Sequence, residues 1–389
     1  MGHVFIIKMV AILFLLISVT GCWNSYELTD LGFLMGVSLD QDSEGRIELN
    51  AQVYSPTETI GGAGGDGKTP YANIKVVNDS IAECARKINL FLGRKAQFGH
   101  MRVILIGEEF ARKHNIDETL DFFYRDHETR FTMLVIITEG KAADYLYKKP
   151  FIERTIAQQL RIITENSLRF TSKTIRATQL ELALQLNSKA GIAILPYLRM
   201  MDEKPQSIYV DGVAIVSKGK MVEQINATDT QALVILKDEF KQGMIDFPCV
   251  EDGLEKKGKK ESLESFSIRT KVSPVFTDKP PTVHVSTKIK GAMGELRCST
   301  ITNVEELKKV EDHVESVVKK RLEGLIAKSQ EKKIDLLGIG NELYKQDPAV
   351  WKKWENDWEN IYADIQFHVD VEVVIEHTGM STGEKVLGE

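Results

Sequence analysis

The sequence has few cysteines, no concentrated basic tract and no apolar run long enough to cross a membrane. Four cysteines among 389 residues are too few for a disulfide scaffold. Lys and Arg total 50 against 56 for Asp and Glu, a formal charge of −6, so the chain is a poor candidate for binding nucleic acid. Apolar residues make up 43% of the chain, which excludes a wholly disordered polymer and is sufficient for buried cores.

The first 21 residues are predicted to be a signal peptide. Lys8 and the amino terminus supply positive charge, and the apolar run that follows has about 11 residues, the length of a signal-peptide core rather than of a spanning helix. The run ends in Val19-Thr20-Gly21-Cys22, small residues followed by a cysteine. This tetrad resembles a bacterial lipobox, which predicts that residues 1–21 are removed and that Cys22 carries a diacylglyceryl group. The alternative is an ordinary secretory signal with an accidental cysteine.

The three remaining cysteines are far apart in the sequence. Cys84, Cys249 and Cys298 form no C-x-x-C pair, so the spacing does not predict zinc ligation. Cys84 falls in an apolar stretch and is predicted to be a small buried residue.

Strand and helix patterns are interspersed along the mature chain, which predicts an α+β fold. Pro150 is a natural boundary, and the charged run 251–260 is interpreted as a solvated connector. A long amphipathic helix is predicted over roughly Val304 to Lys328. We therefore predict three successive mixed α/β domains, each a β-sheet with flanking helices, after the lipoprotein signal peptide: 22–150, 151–245 and 246–389.

A glycine-rich segment matches two nucleotide-binding patterns. Gly62 to Thr69 fits the Walker A spacing, and Gly62-x-Gly64-x-x-Gly67 fits the dinucleotide fingerprint. Both patterns need a strand directly before and a helix directly after, whereas Pro70 and a β-branched run follow this segment. We therefore interpret the segment as a surface loop and predict no cofactor.

Histidines and charged residues between positions 100 and 130 suggest two kinds of site. His100, His114 and His127 match no metal-ligand spacing, so separate surface or hydrogen-bonding roles are favoured over a metal site. The cluster from Arg125 to Arg130 would suit an acid–base site, but a salt-bridged turn at the entry of a strand is favoured. No G-x-S-x-G elbow is present, so catalysis has no sequence support.

Three tryptophans form one stripe near the end of the chain. Trp351, Trp354 and Trp358 stand at i, i+3 and i+7, and Tyr362 extends the stripe. Packing in the core is the favoured interpretation. A surface that stacks a ligand or fills a partner's groove is the alternative.

Several blocks of the chain together resemble the Ger(x)C family, the lipoprotein C subunits of spore germinant receptors. The blocks are Gly21 to Leu31 after the lipobox, Phe98 to Glu109, Phe123 to Arg130, Asp335 to Gly340, Pro348 to Trp351, Trp358 and the closing strand. Asn24 stands where the family usually has an acidic residue, and the aromatic usual in the Asp-x-x-Gly-x-Gly segment is replaced. The resemblance covers nearly the whole mature chain.

The resemblance implies a non-enzymatic, three-domain α+β lipoprotein without a cofactor on the outer face of the inner spore membrane. Its implied partners are a polytopic A-type subunit and a transporter-like B-type subunit, and its implied role is receptor assembly and signalling in germination. Cys22 would hold the lipid. The candidates for partner or structural contacts are His100, Arg125, Arg130, Trp351, Trp354 and Trp358.

Two other functions remain open at this stage. The first is a lipid-anchored solute-binding protein that delivers a small ligand to a membrane transporter, which would need two similar lobes with a pocket between them. The second is an envelope hydrolase that uses His127 or Glu128.

Overall fold

The computed structural model describes residues 2–18, 26–54, 70–201, 207–251, 254–276 and 280–378. Its first helix, α1, covers Gly2–Ser18 within the predicted signal peptide. Cys22 and the glycine-rich segment 62–69 lie outside the described residues. None of the helices in the described ranges is long and apolar enough to span a membrane.

In the described part of the chain, nine strands form the first sheet. They are β1 (Leu31–Gln41), β2 (Ile47–Tyr54), β3 (Tyr71–Asn78), β4 (Lys95–Gln97), β5 (Val103–Gly107), β6 (Leu134–Thr138), β7 (Ile192–Met200), β8 (Ile208–Ser217) and β9 (Lys220–Ile225). Their order is β3-β2-β1-β5-β6-β7-β8-β9, and β4 pairs with β1 outside this path. The central strands β1, β5, β6 and β7 run parallel, and antiparallel strands flank them on both sides.

The first sheet continues across Pro150. β6 and β7 pair in parallel where Ile137 lies beside Tyr197, and the helices between these two strands supply the crossover that a parallel pair requires. The α+β class is confirmed. The sequence predicted one sheet in each of three domains. The described residues form two sheets, because strands before and after Pro150 belong to the same sheet. The division into domains at 150 and 245 stays a prediction.

Helices cover both faces of the first sheet. On β5, Ile104 and Ile106 belong to one buried core, and Val103 and Leu105 belong to the other, as the alternation of side chains along a strand requires. The first core includes residues of α2 (Ile81–Leu92), α3 (Glu108–Lys113), α4 (Ile116–Arg125), α7 (Gln179–Leu186) and α8 (Ala227–Leu236). The second includes residues of α5 (Ala142–Leu146) and α6 (Ile156–Thr171).

The second sheet lies in the C-terminal part of the chain. Its strands, in order across the sheet, are β10 (Gly243–Glu251), β11 (Leu254–Val275), β12 (Thr282–Glu295) and β13 (Gln366–His377). The run 251–260, which the sequence favoured as a connector, lies mostly in β11, where Glu255 pairs with Val250 and Lys260 pairs with Pro248. Strand pairing satisfies the backbone of this run, while residues 258–260 remain exposed to solvent.

The long predicted helix is present as α9 (Val304–Glu331). It buries Val310, Val314 and Leu322 and contacts β13, which is the parallel neighbour of β12. Its N-cap residue Asn303 accepts a hydrogen bond from the Glu306 N–H at 2.9 Å, which satisfies one free donor of the first turn. Three short helices then lead to β13: α10 (Ile339–Gln346), α11 (Pro348–Trp354) and α12 (Trp358–Ala363). Short 3-10 turns cover Leu28–Asp30 and Glu355–Asp357.

Candidate functional site

The tryptophan stripe lies in the core of the C-terminal part. Trp351, Trp354 and Trp358 are 4%, 7% and 6% exposed, and Tyr362 is fully buried. The rings of Trp351 and Trp358 lie 5.3 Å apart between centroids, and the Tyr362 hydroxyl is 2.8 Å from the hydroxyl of Ser329 on α9. The packing interpretation is confirmed, because side chains this deeply buried present no surface on which a partner or ligand binds.

The carboxylate of Asp335 organises this aromatic centre. One of its oxygens accepts a hydrogen bond from the Ile339 N–H at 2.9 Å. The other accepts from the Gly340 N–H at 2.7 Å and from the Trp358 indole N–H at 3.0 Å. Burial raises the pKa of Asp335, and these donors oppose the rise because they stabilise the charged form. Asp335 therefore fixes the start of α10 against the tryptophans.

Glycine is required beside this centre at position 340. A Cβ built on Gly340 would lie 2.8 Å from the Trp358 indole nitrogen and 2.8 Å from the Trp351 ring. Gly338 adopts a φ of +69°, a region that L side chains rarely enter. The Asp-x-x-Gly-x-Gly segment is thus explained by a buried carboxylate, a left-handed turn and close packing.

A second buried carboxylate, Asp40 on β1, also accepts hydrogen bonds from the backbone at the start of a helix. Its two oxygens accept hydrogen bonds from the backbone N–H groups of Ala142 at 2.9 Å and Ala143 at 2.8 Å. Burial raises the pKa of Asp40, opposed by these two backbone donors. Since α5 begins at Ala142, Asp40 caps the N-terminus of this helix. The helix is part of the connection between the parallel strands β6 and β7, and the cap fixes it against the sheet.

The structure contains a disulfide that the sequence analysis did not predict. Cys249 on β10 is bonded to Cys298, 49 residues further along the chain, and Cys84 is free and buried as predicted. The pair could have been found by elimination among the four cysteines. Cys22 is predicted to carry lipid and Cys84 lies on the apolar face of a helix, which leaves Cys249 and Cys298. The spacing alone was uninformative, since disulfide partners need only be close in space.

Glu261 holds the chain beside this disulfide. It is 1% exposed, and its carboxylate accepts hydrogen bonds from the backbone N–H groups of Arg297, Cys298 and Ser299 at 3.0, 2.8 and 2.8 Å. Glu261, Cys249 and Cys298 place possible metal-ligating atoms within 4.8 Å of one another. Both sulfurs are already shared in a disulfide and are not thiolates, so this donor set suits a structural cross-link rather than zinc.

His114 and His127 line one cleft of about 660 Å³ together with Arg125, and His100 lies outside that cleft. The ring of His100 packs edge-on against Phe33 at 4.9 Å between centroids. His114 stacks on Phe110 at 4.2 Å and lies 3.1 Å from the side-chain oxygen of Gln41. None of the histidines belongs to a possible metal-ligand group among the described residues.

The charged cluster from Arg125 to Arg130 forms a turn with ion pairs that point away from one another. Arg125 is exposed and pairs with Asp121 on its own helix at 2.7 Å, while Glu128 pairs with Lys95 on β4 at 2.5 Å. The hydroxyl of Thr129 donates to the backbone carbonyl of Phe123 at 2.6 Å, which closes the turn. The interpretation of this cluster as a salt-bridged turn is therefore confirmed.

His100 and Arg130 lie in a region of positive charge at the end of the sheet where β5 begins. Partial burial lowers the pKa of His100, and the nearby guanidinium groups of Arg130 and Arg102 lower it further. Burial also lowers the pKa of Arg102, with Arg161 and Arg130 adding to the effect. The Nε of Arg102 is buried without a hydrogen-bond partner among the described residues.

Partly exposed ion pairs join α9 and the segment after it to α8 and β9. Lys328 on α9 pairs with Asp229 on α8 at 2.6 Å, and Lys332 pairs with Glu223 on β9. A cavity of about 220 Å³ lies between these elements. Partly exposed pairs of this kind contribute little to stability, so the apolar contact between α8 and α9 is the main link at this junction.

Comparison with known proteins identifies one family over residues 24–200 and 211–379. The family model described as the spore germination protein N-terminal domain matches residues 24–200, and the spore germination B3/GerAC-like C-terminal model matches residues 211–379. Spore germination protein KC of Bacillus subtilis (strain 168) is 24% identical over 408 residues, covering 96% of each chain. Spore germination protein B3 of the same strain is 25% identical over 385 residues, covering 96% of this chain and 98% of the relative.

A solved structure shares the fold. The crystal structure of the GerBC protein matches with a TM-score of 0.54 and 19% sequence identity, covering 88% of this chain and 97% of that one. The two family matches define a spore germination protein, and its two sheets with their helices are of the α+β class. The chain belongs to the Ger(x)C family, so the family resemblance found in the sequence is confirmed.

Proposed function

We propose that this chain is a non-enzymatic, lipid-anchored subunit of a spore nutrient germinant receptor, needed for receptor assembly and signalling in germination. The observation that carries the proposal is the match of both spore germination domains, in order, over residues 24–200 and 211–379. The partners would be a polytopic A-type subunit and a transporter-like B-type subunit. The protein would lie on the outer face of the inner spore membrane, attached through lipid on Cys22.

The physics of anchoring supports this assignment. Two acyl chains give stable membrane attachment where a single chain is marginal. Confinement to the membrane surface raises the effective concentration of the protein for its membrane partners, so that a contact surface of modest affinity is sufficient. The Cys249–Cys298 disulfide adds support for an extracytoplasmic location, because disulfides persist mainly in oxidising compartments.

The buried acidic groups support a non-enzymatic role. Asp40, Glu261 and Asp335 are each buried and accept hydrogen bonds from two or more backbone N–H groups. A general acid or base must instead reach a substrate. These three carboxylates stabilise helix starts and a turn.

The solute-binding alternative has weaker support in this fold. The cavity that β8, β9 and α8 form with α9 is about 220 Å³, smaller than the roughly 300–1,000 Å³ of typical small-molecule sites. Two larger clefts of about 660 and 600 Å³ are each lined only by residues before position 130, so neither lies between two lobes. The two sheets have nine and four strands among the described residues, so they do not form the pair of similar lobes that a hinge-closing binding protein needs. Calorimetric titration of the full chain with amino acids and sugars would reveal this function through heat at micromolar ligand.

Deletion of the gene tests the receptor role. We expect spores to form normally but to lose germination in response to the nutrients of one receptor. Complementation with the intact gene is the control. Unchanged germination in response to every nutrient would refute the role.

Replacement of the lipid-bearing cysteine tests the anchor. We expect the Cys22→Ala protein to lose acylation, since the thiol is the attachment point. We also expect the membrane fraction to contain no mature-sized form of the protein. Cys84→Ala is the matched control, because Cys84 is buried and free. Full retention of an acylated, mature-sized Cys22→Ala protein would contradict the anchor.

A further inference from the structure

One end of the first sheet contains the first described residues after α1. Leu31, the first residue of β1, pairs with Lys95 of β4, and Phe33 pairs with Tyr54 at the end of β2. Tyr54 in turn pairs with Tyr71 at the start of β3. We call this edge the Leu31 end of the sheet. Residue 26, the first described residue after α1, lies here, since the Lys95 ammonium is 4.6 Å from the Tyr26 ring centroid.

The last turn of α2 presents an apolar tip at the Leu31 end. α2 ends at Leu92, just before β4, and its buried face is formed by Ile81, Cys84, Ala85 and Ile88. Leu90 and Phe91 point away from that face and are 82% and 68% exposed. Two adjacent exposed apolar residues at a helix end need an explanation outside the core.

A second apolar tip lies at the same end on the opposite face of the sheet. Phe151 and Ile152 are 65% and 91% exposed and precede α6, which packs in the core opposite to that of α2. Two contacts place this segment: the Arg154 guanidinium donates to the Tyr54 hydroxyl at 3.2 Å, and the Tyr71 hydroxyl donates to a backbone carbonyl at position 148 at 3.4 Å.

Basic residues accompany both tips in the sequence, and Asp30 and Glu128 are the acids beside Arg94 and Lys95. Residues 86–95 contain four cations and no acid, and residues 148–154 contain three cations and one acid. The exposed cations of the two segments are Arg86, Lys87, Arg94, Lys149 and Arg154. Arg102 and Arg130 extend the positive charge along the same end, and both lower the pKa of the nearby His100. Apolar side chains flanked by cations are the combination that binds an anionic lipid surface.

We propose that the Leu31 end rests on the membrane, with the Leu90–Phe91 and Ile152 tips in the headgroup layer and the surrounding cations on anionic lipid phosphates. This orientation rests on the proposed lipid anchor, because Cys22 precedes Tyr26 by only four residues. An extended chain of that length spans at most about 14 Å. The anchor and both tips would then contact one surface, and the second sheet would extend away from it.

Fluorescent labels at the tips test this orientation. The full acylated chain carrying Leu90→Cys or Ile152→Cys is labelled with an NBD fluorophore and reconstituted into vesicles of phosphatidylcholine with phosphatidylglycerol. Val304→Cys is the matched control, since Val304 is as exposed as Leu90 at 82% but begins α9 in the C-terminal part. Labelling is selective because Cys84 is buried and Cys249 is bonded to Cys298.

We expect blue-shifted emission and quenching by nitroxide lipids at positions 90 and 152, and neither effect at position 304. Emission at positions 90 and 152 that matches position 304 in lipid would overturn the proposal. So would shielding at these positions that appears only when the membrane partner subunits are added, because a protein would then be the occupant. The mass of the Cys22 peptide reports acylation separately, so a chain that is not acylated is distinguished from an acylated chain whose tips stay out of the lipid.

The role of charge has its own measurement. Lys149→Gln and Arg94→Gln should each lower, by about fivefold, the partitioning of the labelled tip into vesicles that contain phosphatidylglycerol. This factor corresponds to about 1 kcal/mol per cation near an anionic surface. In pure phosphatidylcholine the same changes should have no effect. Equal signals in both kinds of vesicle would remove the electrostatic part of the proposal.

Discussion

Removal of the Cys249–Cys298 disulfide should destabilise the C-terminal part without changing its fold. The double variant Cys249→Ala with Cys298→Ala opens a loop with a sequence separation of 49 residues. Glu261 still accepts hydrogen bonds from the backbone at Cys298 and Ser299, so the native position of this segment survives. The main effect therefore falls on the unfolded chain, which gains conformational freedom.

The loop length sets the size of the effect. In the chain-entropy description, closing a loop of this length stabilises the folded state by about 4 kcal/mol at 25 °C. For a unit of roughly 150–250 residues, a loss of 1 kcal/mol lowers Tm by about 2–4 °C. The expected fall for the C-terminal part is therefore roughly 8–16 °C.

Thermal unfolding of both proteins with and without a reducing agent measures this prediction. Reductant should lower the transition of the wild type to that of the double variant and should leave the double variant unchanged, which serves as its own control. A double variant as stable as the oxidised wild type would refute the argument that the cross-link acts through the unfolded chain. Altered strand content in the variant would show that the disulfide shapes the native sheet as well.

Three further predictions concern other contacts. Gly340→Ala should destabilise the protein by about 1–3 kcal/mol in urea unfolding, since the added methyl overpacks the Trp358 indole; an unchanged midpoint would show that the indole moves freely. The pKa of His100, measured by NMR, should lie below the ordinary value of histidine, and Arg130→Gln should raise it. Because His100 binds a proton more readily in the unfolded chain than in the folded one, its contribution to the free energy of unfolding should increase as pH rises toward its unfolded pKa and be lost as pH falls. Lys328→Gln should cost less than about 1 kcal/mol, as expected of an exposed ion pair, and a larger loss would assign the junction to charge.

Elements with a strong helical period could be predicted from the sequence. The apolar face of α2, including Cys84 and Ile88, and the span of α9 follow from residue spacing alone. The tryptophan stripe was also correctly assigned to packing. The charged first part of β11 was not predicted, because its side chains are those of a solvated segment and only pairing with β10 makes it a strand.

The candidate site residues divide in the same way. Trp358 was found in the sequence, but its partner Asp335 was noticed only as part of a family block, since nothing local shows that a carboxylate will be buried among three donors. Cys298 and Glu261 were missed because each acquires its role from a strand far away in the chain. Long-range pairing depends on topology and not on spacing.

The sequence by itself determined the family, the α+β class, the predicted lipid attachment at Cys22 and the buried faces of the long helices. These properties depend on neighbouring residues and short periodicities, which are visible in one dimension. Only the tertiary structure decided that one sheet continues past Pro150, that two distant cysteines are bonded, and that two apolar tips share the end of the sheet at which β1 begins. Each of these depends on which strands and loops become neighbours, and that is settled by packing of the whole chain.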